Sequence, residues 1–139
     1  MHATQQSAIH VLLVGGVLNL GFSFVLGWVL SAQRMKSPPA PLHWLQVAHI
    51  VALQEGLMLL GLSYGLTFAK MSGNLYFAGA WLLVAGSVFQ DLSGVVNWLR
   101  RTGDQFAERS TGWLLASVNA VLNTAGLAIV TYGILRGVW

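Results

Sequence analysis

Residues 44–68 read WLQVAHIVALQEGLMLLGLSYGLTF. Twenty-five residues with one acidic group and no Lys or Arg are long enough, as a helix, to cross about 30 Å of hydrocarbon. Three further stretches have the same character, at about 8–31, 75–99 and 113–137. Across the 139-residue chain, apolar residues make up 55% and charged residues 8%. A soluble domain carries roughly 25% charged residues. The fold class expected is all-α: an integral membrane bundle of four transmembrane helices forming a single domain over 1–139.

The connections are short, at 33–43, 69–74 and 100–112. The first holds all three prolines in Ser37-Pro38-Pro39-Ala40-Pro41, which stops helix one. No Lys or Arg precedes helix one, and its apolar run is too long for the core of a cleaved signal peptide. Arg34, Lys36, Arg100, Arg101 and Arg109 fall in linkers one and three, whereas Lys70 and Arg136 fall at the other end. The positive-inside rule then places linkers one and three in the cytoplasm and both termini outside. Trp28, Trp44, Trp98 and Trp113 mark the inner interface, and Tyr76, Trp81, Tyr132 and Trp139 the outer one. Basic residues read as topology signals, and no nucleic-acid patch is expected. The absence of cysteine excludes disulfides, thiolate haem ligation, covalent haem attachment and Cys-based zinc sites.

Within the spans, polar groups converge on one depth. A rise of 1.5 Å per residue puts His49 roughly 8 Å and Glu55 roughly 17 Å from the inner end of helix two. Asp91 lies roughly 12 Å from the inner end of helix three, and Asn119 and Asn123 roughly 9 and 15 Å along helix four. Gln90 and Asn97 belong to the same slab. Charge at this depth costs several kcal/mol, so Glu55 and Asp91 mark a cavity, cofactor or partner. His49 shares a face with Ala52, Leu53 and Gly56, and Glu55 points about 120° away at 100° per residue. Asn19 and Asn123 also read simply as interhelical glue, worth about 0.6 kcal/mol per bond. The Gly61/Gly65 pair has GxxxG spacing and reads as a close-packing face. His2, His10 and His43 read as solvated or structural, and Asp104 and Glu108 as solvated.

The His49, Glu55, Gly56 spacing and the Asp91-Leu-Ser-Gly-Val-Val-Asn97-Trp98 stretch resemble the styrene oxide isomerases and hydroxylaminobenzene mutases, small four-helix membrane enzymes. Detailed likeness covers roughly residues 44–100, and Asn97-Trp98 is the more mutase-like part. Glu55 stands where the isomerases have asparagine, and Leu99 where they have tyrosine. The resemblance implies a homotrimer holding haem b between subunits, with His49 as axial ligand to iron. Ferric iron would act as Lewis acid in converting an epoxide to a carbonyl, or an arylhydroxylamine to an aminophenol. It implies Glu55, Asp91 and Asn97 as catalytic, and a substrate pocket using Gln90, Trp98, Asn119 and Asn123. A small apolar substrate would enter from the lipid of a bacterial inner membrane. Two other classes fit the residues: a non-catalytic membrane haem protein, and a transporter or channel subunit with Glu55 and Asp91 on a proton or cation path.

Overall fold

The computed structural model describes residues 3–36, 41–69 and 73–139. The prolines at 38 and 39, Lys70 and His2 lie outside them. Four helices follow in order: α1 (Ala3–Arg34), α2 (His43–Gly65), α3 (Gly73–Arg100) and α4 (Thr111–Val138). A 3-10 turn, Leu66–Phe68, extends α2. All four are long and apolar enough to cross a membrane, and no strand occurs among the described residues. The helices overrun the apolar stretches at most ends. In α1 the overrun at Ala3–Ser7 is polar, so hydropathy alone does not see it.

Side chains close the helix ends. The Gln5 amide of α1 donates to the carbonyls of Leu66 (2.7 Å) and Ala69 (3.3 Å) at the end of the 3-10 turn that follows α2. Ser110 caps α4 by accepting from the Trp113 N–H at 3.0 Å. The loop before it is self-supporting. Glu108 accepts from the N–H groups of Gly103 and Asp104, and Asp104 from those of Phe106 and Ala107.

α1 packs on both α2 and α3, α2 also packs on α3, and α4 lies chiefly along α3. α3 is therefore the central helix. Of its most apolar window 44% is buried, against 11% for α4. α1 and α2 approach most closely at Gly16 and Gly56, where a Cβ on either would sit 3.0 Å from the other's carbonyl oxygen. Only glycine permits that approach. The Gly61/Gly65 pair does not form the expected packing face: Gly61 has open space around it, and Gly65 meets only Ile134 of α4. Leu53, one turn beyond His49 on α2, is 39% exposed.

The buried apolar residues divide into two clusters. One gathers Leu12, Leu59, Leu66, Tyr76, Leu83 and Val130; the other gathers Leu26, Leu30, Leu45 and Ala48. Tyr76 thus belongs to the core, fully buried against Gly133, and not to an interfacial belt. Trp28, Trp81, Tyr132 and Trp139 are exposed, as belt residues are. Between the two clusters lies a polar layer: Asn19 and Ser23 from α1, Glu55 from α2, Ser87 and Asp91 from α3.

Candidate functional site

The polar layer is built at the helix crossings. On the α1/α2 side, His49 Nδ1 lies 2.8 Å from the Ser23 carbonyl oxygen and 3.1 Å from Ser23 Oγ. The Ser23 hydroxyl donates to the His49 carbonyl at 3.0 Å. A carbonyl only accepts, so Nδ1 carries the proton, and in a neutral ring Nε2 keeps its lone pair. The ring lies over Gly27, one turn beyond Ser23. A Cβ there would stand 3.2 Å from His49 Cε1. The acceptor for this ring is not the α2 carbonyl one turn earlier. It comes from α1, because the crossing brings Ser23 and Gly27 under the imidazole.

On the α4 side, four side chains form one hydrogen-bonded row. Asn119 donates to Gln90 Oε1 (2.7 Å), while Asn123 donates to Asn119 Oδ1 (2.6 Å) and to Glu55 Oε1 (3.2 Å). The row borders a groove of about 470 Å³ between α2, α3 and α4, whose other walls include Val51, Gln54 and Met58. Gly86 makes the row possible, since a Cβ there would collide with Asn123 and Asn119. Of the sequence-predicted residues, the structure brings Glu55, Gln90, Asn119 and Asn123 together.

Asp91 is buried on the other side of α3, beside Asn19, Phe22 and Leu18 of α1. Asn19 donates to the Gly15 carbonyl (3.0 Å) and to Ser87 Oγ (2.9 Å), joining α1 to α3. Five buried side-chain oxygens have no hydrogen-bond partner among the described residues: Tyr76 Oη in the apolar core and, in the polar layer, Asn19 Oδ1, Glu55 Oε2, Asp91 Oδ1 and Asn123 Oδ1, one from each helix. Leaving such atoms unpaired costs about 1–3 kcal/mol each, and native proteins keep few of them.

Two expected site residues stand elsewhere. Asn97 is fully buried at the α3/α4 loop, where it donates to Gln105 Oε1 (2.9 Å) and accepts from Ser110 Oγ (2.8 Å). Both ends of its carboxamide are engaged in holding that loop. Trp98 packs against the Leu26, Leu30, Leu45 and Ala48 cluster. Sequence reasoning missed Ser23, Gly27 and Ser87. Asn19, Ser23 and Gly27 recur at four-residue spacing on α1, the signal from which a functional face was readable. Among the described residues no three His, Cys, Asp or Glu side chains converge to hold a metal ion. No protein family matches the sequence, and neither curated proteins nor solved structures give a match.

Proposed function

We propose that this protein is a membrane-embedded, haem b-dependent isomerase of a small apolar substrate. His49 is its axial ligand. The observation that carries this reading is the Ser23 carbonyl on His49 Nδ1, which fixes the ring and leaves Nε2 as the ligating nitrogen. Metal-bound histidines are held in this way by a backbone carbonyl or carboxylate. The bare backbone at Gly27 lets the imidazole lie directly against α1, so the ring is held in an orientation and tautomer that suit a metal ligand.

When bound, ferric haem supplies a Lewis acid for the substrate oxygen. The chain's own groups do the rest. The α2/α3/α4 groove is large enough for an aryl substrate entering from lipid. Asn123 holds Glu55 through Oε1, leaving Oε2 to stabilise a developing cation or to accept and return a proton. Asn119 and Gln90 orient Asn123 through the same row. His49 faces α1 whereas Glu55 faces the α4 side, so the two address different space within one chain. The reading therefore requires a homo-oligomer, a trimer by resemblance, in which His49 of one copy serves the groove of its neighbour. Epoxide-to-carbonyl and arylhydroxylamine-to-aminophenol rearrangements are the reactions proposed.

The visible spectrum of the detergent-purified protein, oxidised and dithionite-reduced, tests the proposal. A stoichiometric Soret band, absent from His49→Ala, is expected. A band that survives His49→Ala overturns the ligand assignment.

A second reading rests on the four unpartnered oxygens of the polar layer. A protein that conducts protons or cations through the polar layer would use Glu55 and Asp91 in this position. Proton or cation flux in liposomes, lost in Glu55→Gln, would favour it over the isomerase.

A further inference from the structure

The polar layer has spent its donors. Both N–H groups of Asn19 are engaged, one on the Gly15 carbonyl and one on Ser87 Oγ. The Ser87 hydroxyl donates in turn to the Val84 carbonyl at 2.8 Å. The Gly15 carbonyl can only accept, so it fixes the orientation of the Asn19 carboxamide and leaves Oδ1 as a bare acceptor. Asp91 Oδ1 is the second bare acceptor beside it. These two side chains are 5% and 7% exposed and line one groove between α1 and α3. The rest of that lining is Leu18, Phe22, Val88 and Leu92. Leu18, Val88 and Leu92 are largely exposed, which sets them at the rim and the two polar groups at the bottom. The volume there is about 210 Å³.

A second volume of about 350 Å³ lies next along α1, with Leu18 lining both, and is walled by Val14, Trp81, Val84 and His10. From Asn19 to His10 along α1 is roughly 14 Å. The ligand that matches is apolar over most of its length, carries hydrogen-bond donors at one end, and is positive there. An anion or a molecule bearing only acceptors meets the wrong partners.

We propose that the α1/α3 groove binds a lipophilic primary amine, its ammonium group on Asp91 and Asn19 and its tail along Leu18, Val14 and Trp81. An ammonium brings three N–H donors to two bare oxygens. The tail stays in an apolar channel open to lipid. This site stands apart from the haem reading, and neither requires the other.

The test uses the full chain in phosphatidylcholine nanodiscs, with empty nanodiscs as baseline. Binding of n-octylamine, n-octane, octyltrimethylammonium and octanesulfonate is followed by calorimetry and melting temperature. Octylamine at neutral pH is expected to bind saturably and at least ten-fold more tightly than octyltrimethylammonium, which has the charge without the N–H donors. Asp91→Asn is expected to weaken octylamine binding at least ten-fold. Leu18→Trp, which fills the groove at its midpoint from an exposed position, is expected to do the same while leaving the polar layer intact. It decides the matter where Asp91→Asn fails to fold. Equal binding of octyltrimethylammonium or octanesulfonate, no saturable binding of octylamine, or binding unchanged in Leu18→Trp overturns the proposal.

Discussion

Ser23 and His49 bond to each other twice across the α1/α2 crossing. The imidazole N–H donates to the Ser23 carbonyl, and the Ser23 hydroxyl donates to the His49 carbonyl. Each residue thus supplies both a backbone acceptor and a side-chain donor. The ring is fixed in rotation and in tautomer by a neighbouring helix, and α1 becomes part of any site that His49 serves.

Gly27→Val tests that dependence. Branched carbon over the ring displaces it from the Ser23 carbonyl. Losing the partner of a ligating histidine typically costs about 10–100-fold in metal affinity. Where His49 holds haem as proposed, haem affinity, read by titration at the Soret band, is expected to fall by that order while the helical circular dichroism is kept.

The Glu55–Asn123 bond is suited to a double-mutant cycle. Glu55→Gln and Asn123→Ala, singly and together, are expected to couple by about 0.6 kcal/mol, the average for interhelical bonds in membrane proteins. The readout is unfolding of the reconstituted protein in denaturing detergent. Additive effects would show that the two side chains do not interact.

The glycines divide sharply. Gly16→Leu forces apart two backbones in contact and is expected to cost about 1–3 kcal/mol or to abolish folding. Gly61→Leu places the same side chain in open space and is expected to leave the melting temperature nearly unchanged. A larger loss from Gly61→Leu than from Gly16→Leu would reverse the assignment of the packing face.

Asn97→Ala removes two loop bonds from a fully buried position and is expected to lower stability by about 1–3 kcal/mol. The Soret band per folded protein should stay constant. A selective loss of haem or turnover in folded protein would return Asn97 to the site.

The number and rough extent of the helices were legible because each needs only a run of apolar residues. What each helix turns toward its neighbours was not. Glu55, Gln90, Asn119 and Asn123 share a depth, which rise per residue predicts, and they do meet. His49 shares much of that depth but addresses Ser23 on α1, a choice made by where α1 crosses α2. Tyr76 and Trp81 lie five residues apart on α3, about 140° around the helix at 100° per residue, and one is core while the other is exposed. Gly133 leaves room for the Tyr76 ring on the core side. GxxxG spacing marked the wrong helix face because close approach depends on what the partner helix presents: Gly56 meets Gly16, forty positions away in sequence, whereas Gly61 meets nothing.

The amide of Gln5 has a consequence in time. Its acceptors, Leu66 and Ala69, are 61 and 64 residues downstream. At synthesis rates of about 5–20 residues per second, several seconds pass between the making of the donor and the making of its acceptors. Throughout that interval the first turn of α1 holds a polar side chain with nothing to bond but water or lipid headgroups. The first turn of α1 therefore reaches its final hydrogen bonding only after the far end of α2 has been made.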